Sequence, residues 1–234
     1  MSELAGVKRH SVRSQSIEDY LKAVYELTQD AERASTNALA KALDIAPASV
    51  TGMLQKLAES DPPLLDYRKH RGVSLTEAGR KVALETIRHH RLLELFLVQY
   101  LGYEWHEVHE EADRLEHVIS ERFEERIAAA LGDPEHDPHG DPIPRADLTL
   151  PDTAQTLLSG LKAGERGTVK RVRDTFPDLL EYLSEQGLVP GAEFEVSEIS
   201  EIDSNIHVVV AGSTHEIVLG PRASNQVYVE VGPT

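Results

Sequence analysis

The stretch that decides the fold is "PASVTGMLQKLAESDPPLLDYRKHRGVSLTEAG", residues 47–79. It opens with apolar residues at helical spacing, and Pro47 occupies the first-turn position that proline favours in a helix. Two short apolar runs, 65–67 and 73–75, then flank a basic tip at 68–72. Such runs around a tip that contains glycine indicate a β-hairpin. The stretch therefore predicts a helix followed by a hairpin.

Two segments upstream, "SIEDYLKAVYELTQD" (16–30) and "STNALAKALDI" (35–45), add two helices and complete a helix-turn-helix. A winged helix-turn-helix places its second helix in the major groove of DNA and its hairpin wing on the phosphates. The residues expected to face the core are Val50, Met53, Leu54 and Leu57. The candidate DNA contacts are Ser49, Thr51, Gly52, Gln55 and Lys56 on the helix, and Arg68, Lys69, His70 and Arg71 on the wing. The alternative is a three-helix packing module with a solvated basic hairpin.

Charge is distributed unevenly along the 234 residues, whose net charge is −16. Residues 1–75 carry 10 Lys/Arg and 10 Asp/Glu, whereas residues 132–234 carry 7 and 18. Only the N-terminal third is therefore not repelled by a phosphate backbone. The absence of cysteine excludes disulfides and thiolate metal sites. Without an apolar run of membrane-spanning length, we expect no membrane partner and a cytoplasmic location.

Beyond the hairpin the pattern changes twice. Two long amphipathic helices are expected, over 76–102 and 104–132, and their length suggests contacts between subunits. The segment "GDPEHDPHGDPIPR" is rich in Pro, Gly and Asp, which predicts an extended crossing. Four or five short alternating strands with one helix then indicate a small barrel. We expect a mainly α fold with a small β domain, divided into residues 1–75, 76–142, a linker at 143–156, and 157–234.

Potential metal ligands gather in the second long helix. At about 100° per residue, four of them share an arc of about 100° beside the apolar stripe. These are His109, Asp113, Glu116 and His117. His90 and Glu94, at i and i+4 on the preceding helix, are placed to face the same region. Carboxylates and imidazoles at a buried edge need neutralising, which a divalent cation does.

The alternative is a solvated, ion-paired helix face. Six further histidines are assigned to that solvated class: His89, His106, His136, His139, His207 and His215.

Together these segments resemble the DtxR/MntR family of metal-dependent transcriptional regulators. The similarity rests on "PASVTGMLQKL", "YRKHRGVSLTEAGRK", "HHRLLE", "VHEEADRLEHVIS", "DPHGDPIP" and "GLVPGAEFEV", in that order. The resemblance implies a winged helix-turn-helix, a helical dimerisation domain and a C-terminal SH3-like domain. It also implies a primary metal site of Asp19, Asp113, Glu116 and His117, and an ancillary site of His90, Glu94 and His109. Asp178 would complete the ancillary site from the SH3-like domain, with Glu181 as the weaker choice.

Departures from the family pattern bear on the metal. Iron-sensing relatives have sulfur ligands where this chain has Asp19 and Asp113, and carboxylates favour harder ions such as Mn(II). Lys22 replaces a glutamate of two-domain manganese sensors, which favours two separated sites. Gly52 replaces a longer polar side chain, which removes a base contact.

The function that the resemblance implies is a metal-dependent repressor of metal-homeostasis genes. Mn(II), with Fe(II) as the other candidate, would order a homodimer that binds a palindromic double-stranded DNA operator. The alternatives are an iron-responsive regulator, a helical metalloenzyme, and a metal-buffering protein. Di-iron bundle enzymes use paired Glu-x-x-His motifs, and neither long helix has one.

Overall fold

The structure is a computed structural model that describes residues 15–29, 31–173 and 177–232. The chain forms two compact units, Met1–Ile87 and Arg88–Thr234, and the division between them falls inside one continuous helix. The helices and strands of the first unit are α1 (Gln15–Leu27), α2 (Thr36–Ala42), α3 (Pro47–Ala58), β1 (Leu65–Arg68), β2 (Gly72–Leu75) and the start of α4 (Glu77–Leu101).

The predicted helix-turn-helix is confirmed in α2 and α3. The first of these begins because Ser35 Oγ accepts a hydrogen bond of 3.1 Å from the Ala38 N–H. The second begins at Pro47, whose missing N–H costs nothing in a first turn. Val50 and Leu54 of α3 are fully buried. The apolar face of the recognition helix α3 is thus inside, as its spacing predicts.

The hairpin, hereafter the wing (residues 65–75), is held against the segment that precedes α2. Its strands pair antiparallel with Arg68 opposite Gly72. Ala34 extends the pair, because its N–H and carbonyl bond the Val73 backbone at 2.8 and 2.9 Å. Gly72 has φ +88°, and a Cβ there would lie 2.5 Å from the Ala34 carbonyl oxygen. Only glycine therefore allows the wing to approach this closely.

Helix α4 starts directly after the wing. The Thr76 hydroxyl accepts from the Gly79 N–H at 3.1 Å and donates to the Pro63 carbonyl at 2.7 Å. A Cβ at Gly79 would lie 1.9 Å from the Leu64 carbonyl oxygen, so the first turn of α4 lies against the chain that enters the wing. The predicted start of this long helix is confirmed.

The prediction of one helix over residues 104–132 is wrong. The chain instead forms α5 (Val108–Leu115) and α6 (Glu121–Ala130), with a turn between them. A ring nitrogen of His89 lies 3.0 Å from the Glu116 carbonyl oxygen, and Ser120 Oγ accepts from the Phe123 N–H at 3.3 Å to begin α6. The helical arc that we assumed for the potential ligands therefore does not extend to residue 117.

The C-terminal part of the second unit is an antiparallel sheet with the strand order β3-β8-β4-β5-β6-β7. Its elements are β3 (Thr156–Leu157), a 3-10 turn (Leu158–Gly160), β4 (Arg166–Val172), α7 (Pro177–Glu185), β5 (Glu193–Ile199), β6 (Ile206–Val210), β7 (Glu216–Leu219), α8 (Pro221–Ser224) and β8 (Val227–Val231). Four or five strands were predicted, and this sheet has six, of which β3 is too short to show alternation. Leu180 and Leu183 of α7, and Trp105 from the loop before α5, join the apolar core of this sheet.

The architecture is therefore a winged helix-turn-helix, a helical domain and a C-terminal SH3-like domain, the expected mainly α fold with a small β domain. Within the described ranges, none of the helices combines the length and apolarity needed to cross a membrane.

Candidate metal centres and DNA-reading surface

The first cluster of potential ligands lies between α4 and α5 and is centred on His90. Its Nδ1 lies 2.5 Å from Glu116 Oε2 and 3.3 Å from Asp113 Oδ1. Its Nε2 lies 3.0 Å from Glu94 Oε1 and 3.1 Å from His109 Nδ1. The structure thus places, around the single imidazole of His90, residues that the resemblance divides between two metal sites.

This first cluster is buried at one side and open at the other. The side chains of Glu94 and Glu116 are 2% and 1% exposed, whereas those of His109 and Asp113 are 46% and 47% exposed. His109 Nε2 lies 3.5 Å from Asp113 Oδ2 at the open side. An ion can therefore reach the buried carboxylates past His109 and Asp113.

Glu116 and His117 lie where α5 ends. Glu116 is the C-cap of that helix, and its Oε1 lies 3.4 Å from His117 Nε2. Asp19, the fourth residue of the predicted primary site, is half-buried on α1 of the first unit. A site that combines Asp19 with Asp113, Glu116 and His117 would join the two units, and it stays a prediction.

A second cluster, which the sequence did not predict, lies where α4 meets the crossing segment. Glu94, Asp137 and His139 are all buried, and each offers a ligand atom within 4.8 Å of the others. His139 Nδ1 lies 3.8 Å from Glu94 Oε2, the carboxylate oxygen that does not face the first cluster. Assigning His139 to the solvated class was wrong, because its side chain is only 1% exposed. The spacing of Asp137 and His139 was the available signal, although a turn closed by the Gly140 N–H on the Asp137 carbonyl, and not an extended chain, brings them together.

The hydrogen bond of the His139 ring to Trp105 decides which ring nitrogen can act as a ligand. Nε2 lies 2.7 Å from the Trp105 carbonyl oxygen, which can only accept, so Nε2 carries the proton. In the neutral ring, the Nδ1 lone pair then faces the Glu94 and Asp137 carboxylates. Metal-binding histidines typically donate their second N–H in this way. The second cluster therefore fits a divalent cation.

The pKa values of the two carboxylates in the second cluster also bear on whether it can bind a cation. Burial raises the pKa of Asp137 to about 7, with Asp141 and Glu94 adding to the effect. Burial would also raise the pKa of Glu94, but His90, His109 and His139 outweigh it and hold that pKa well below its usual value. The surroundings thus stabilise the charged form of Glu94 but not that of Asp137. A cation bound beside Asp137 would stabilise its carboxylate.

A third group consists of His89, Glu121 and Glu124, whose potential ligand atoms also lie within 4.8 Å of one another. In this group His89 forms an ion pair with Glu124. His89 donates from Nδ1 to the Glu116 carbonyl at 3.0 Å, and its Nε2 lies 2.9 Å from Glu124 Oε2. Burial would lower the pKa of His89, yet the hydrogen bond to Glu124 raises it overall. Arg88 also donates to Glu124. Both ring nitrogens are therefore used as donors, which leaves no lone pair for a metal.

The segment that carries Asp137 and His139 is attached to the SH3-like domain. The Val172 N–H of β4 donates to the His139 carbonyl at 2.8 Å. Gly140 has φ +85°, and a Cβ there would lie 1.9 Å from a carbonyl oxygen of β4. Asp141 contacts Arg171 of β4 at 3.2 Å and Arg91 of α4 at 3.7 Å. The second cluster thus joins α4, through Glu94, to the sheet.

The predicted ligand from the SH3-like domain lies elsewhere. Asp178 and Glu181 are exposed on α7. Neither belongs to a cluster of three or more potential ligands in the part of the chain that the structure describes. Their role in metal binding stays a prediction.

The predicted DNA contacts lie on the open faces of α3 and the wing. The exposed ones are Ser49, Gly52, Gln55, Lys56, Arg68, Lys69, His70 and Arg71. Thr51 is half-buried, and its hydroxyl lies 3.3 Å from the Pro47 carbonyl oxygen. Met53, expected in the core, is only partly buried. Nothing within 4 Å, among the residues described, would meet a Cβ at Gly52.

Comparison with known protein families gives three matches, in chain order. They are "Iron dependent repressor, N-terminal DNA binding domain" over residues 13–73, "Iron dependent repressor, metal binding and dimerisation domain" over residues 76–145, and "FeoA domain" over residues 156–231.

Individual relatives cover most of the chain. The iron-dependent repressor IdeR of Mycobacterium tuberculosis H37Rv is 31% identical over 218 residues, which are 88% of this chain and 92% of that protein. The regulator MntR of Oceanobacillus iheyensis is 38% identical over 112 residues, 48% of this chain and 74% of its own length. A solved manganese-dependent transcriptional repressor in complex with manganese is 37% identical, with a TM-score of 0.83 over 91% of this chain and 98% of its own. ScaR with bound Zn²⁺ is 36% identical, with a TM-score of 0.76 over 92% of this chain and 98% of its own.

Proposed function

This chain belongs to the iron-dependent repressor family of metal-responsive, DNA-binding transcriptional repressors, and from that premise we propose that its effector is Mn(II) and its targets are metal-homeostasis genes. The family consists of transcriptional regulators, so the metalloenzyme alternative is wrong. DNA is a partner of the chain, and residues 76–145 match a domain that both binds metal and dimerises.

The observation that carries the choice of metal is the donor set. Both clusters offer only carboxylate oxygens and imidazole nitrogens, and the chain has no cysteine. Oxygen-rich sites suit Mn(II), whereas sulfur ligands favour softer ions. Similarity to a repressor solved with manganese supports the same choice. Fe(II) is the second candidate, because IdeR, a relative, is described as iron-dependent and Fe(II) also accepts nitrogen and oxygen ligands.

The residues of the second cluster explain how an effector would matter. Bound Mn(II) would supply the positive charge that allows Glu94 and Asp137 to share one buried site. Without it, burial and repulsion from Glu94 disfavour a charged Asp137, and so disfavour the arrangement in which these two carboxylates lie together. Because Glu94 is on α4 and Asp137 is attached to β4, this repulsion acts on the junction between the helical domain and the SH3-like domain.

The predicted primary site would act on the DNA-binding unit. We infer that Asp19 of α1 provides a ligand together with Asp113, Glu116 and His117, as the resemblance implies. Ligands divided between the two units would favour one arrangement of the recognition helix over others. The repulsion among these carboxylates in the metal-free protein would release that preference.

A homodimer would use the apolar residues that the helices of the second unit leave exposed. Leu101 is the last residue of α4 and Tyr103 follows it, whereas Val118 and Phe123 lie around the start of α6. All four are between 39% and 74% exposed. Large apolar side chains concentrated on one domain are typical of an interface. Two copies related by a twofold axis would present two recognition helices to successive major grooves of a palindromic operator.

The test measures DNA binding by fluorescence anisotropy under anaerobic conditions. The probe is the duplex that the wild-type protein selects from a random-sequence library. We expect Mn(II) to promote binding at lower concentration than Zn(II) or Co(II), with Fe(II) as the closest competitor. Asp19→Ala should lose the metal dependence, whereas Glu110→Gln, an exposed carboxylate on α5, should keep it. A wild-type metal dependence in Asp19→Ala would refute the proposed ligand set.

A further inference from the structure

Two arginines share one carboxylate at the base of the wing. Asp66 Oδ2 lies 2.9 Å from Nη1 of Arg33 and 3.1 Å from Nη2 of Arg68. The two arginines differ in accessibility, since the side chain of Arg33 is 15% exposed and that of Arg68 is 58% exposed. Arg68 can therefore reach a ligand in solution, whereas Arg33 is fixed beneath it.

Arg33 also bonds the backbone of the wing. Besides the Asp66 carboxylate, it donates to the Asp66 carbonyl and, at 3.3 Å, to the Gly72 carbonyl. The wing is already held by the two backbone hydrogen bonds between Ala34 and Val73. What Arg33 adds to these contacts is a permanent positive charge. Its hydrogen bond is the main cause that holds the pKa of Asp66 below its usual value.

DNA binding makes a specific demand on these three residues. To reach a phosphate, Arg68 must leave Asp66, and a bare carboxylate would then stand beside the DNA backbone. That carboxylate would repel phosphate and attract Arg68 back. A second cation that stays on Asp66 removes both penalties.

We propose that Arg33 is a positioning residue for DNA binding, which neutralises Asp66 and so lets Arg68 exchange from that carboxylate to a DNA phosphate. This inference rests on the proposed contact of Arg68 with DNA. The local charge of the three residues then determines the affinity: +1 in the wild type, 0 without Arg33, and +2 without the Asp66 carboxylate.

The experiment compares five variants on the selected duplex at saturating MnCl₂, below the unfolding temperature of each. Arg33→Met should bind about tenfold more weakly, with a slope of log K against log salt reduced by about 0.9, which corresponds to one phosphate contact. Arg33→Lys should bind as the wild type does, because the charge is kept although the bonding geometry changes. The double variant Arg33→Met/Asp66→Asn should also return to wild-type affinity. Asp66→Asn alone should bind DNA more tightly than the wild type. If Arg33→Met does not fold, this variant still tests whether the Asp66 carboxylate restrains Arg68.

The opposite results overturn the inference. If Arg33→Lys and the double variant bind as weakly as Arg33→Met, Arg33 acts through geometry alone. If Asp66→Asn does not tighten binding, the carboxylate does not restrain Arg68. Arg68→Gln separates these failures from a failure of the underlying contact, because a wild-type affinity and salt slope in that variant would show that Arg68 does not bind DNA.

Discussion

Replacing Glu94 with glutamine should weaken two metal sites at once. Its Oε1 lies 3.0 Å from His90 Nε2 and 3.3 Å from His109 Nδ1, in the first cluster. Its Oε2 faces His139 Nδ1 at 3.8 Å, in the second. Glutamine keeps the size of the side chain and removes the charge. A single substitution therefore removes a carboxylate oxygen from both clusters without opening a cavity.

The expected loss of Mn(II) affinity can be taken from the effect of removing a group that supports a metal ligand. Removal of even an outer partner of a metal ligand weakens binding by about 10- to 100-fold. That range corresponds to about 1.4–2.7 kcal/mol of binding free energy at each site. Glu94→Gln should therefore shift both Mn(II) binding constants by at least about tenfold. A substitution of a residue that belongs to only one cluster should shift only one of the two Mn(II) binding constants.

Two measurements separate the sites. Electron paramagnetic resonance quantifies unbound Mn(II) and gives both binding constants. Fluorescence of Trp105, the single tryptophan, reports the second cluster, because its ring centroid lies 5.4 Å from that of His139 and its carbonyl binds His139 Nε2. The matched controls are His109→Gln for the first cluster and Asp137→Asn for the second. Only Asp137→Asn and Glu94→Gln should alter the fluorescence titration.

The shared-ligand role of Glu94 fails if Glu94→Gln weakens only one class of site. It also fails if Asp137→Asn leaves the Mn(II)-dependent fluorescence change of Trp105 unaltered, because the second cluster would then not hold the ion.

Three further predictions concern stability. Gly140→Ala should lower the free energy of unfolding by about 3 kcal/mol or more, because its Cβ would clash with the β4 backbone. Gly164→Ala, at the same φ of +85° but in open space, should lower it by only about 1–2 kcal/mol, and thermal unfolding measures both. Gly52→Ala should raise the unfolding free energy by about 0.5–1 kcal/mol in urea titrations, because its Cβ meets nothing within 4 Å in the described ranges and alanine favours helix. The hydrogen bond to Glu216 raises the pKa of His207, so the pair stabilises the folded state below about pH 6.5 and loses that effect as the pH rises through the raised pKa. The stability difference between wild type and His207→Gln should therefore disappear at alkaline pH; a pH-independent difference would contradict it.

Local patterns were sufficient where local forces decide the structure. The helical spacing of Val50, Leu54 and Leu57 predicts the buried face of α3, and all three are buried. The runs around the basic tip predict the wing, whose pairing spans only a few residues. Such features depend on neighbours in the chain, so one sequence contains the information.

The break between α5 and α6 involves both a local cap, Ser120, and a distant residue, His89. Apolar and acidic residues continue at helical spacing through the turn, and nothing in residues 104–132 resembles a strong helix stop. The Glu116 carbonyl is instead bonded by the ring of His89, 27 residues earlier. A contact of this range has no signal in a local window, and the helical arc built on that window was correspondingly too long.

The second cluster shows the same limit at the level of chemistry. His139 becomes a candidate ligand because the Trp105 carbonyl, 34 residues away, fixes its proton on Nε2. The sequence shows Glu94 at one position, so we assigned it to one site. In the structure its two carboxylate oxygens face different clusters. Since Glu94 is shared, its removal cannot assign an ion to either cluster. Residues that belong to one cluster each, such as Asp137 and His109, can do so when their variants are compared.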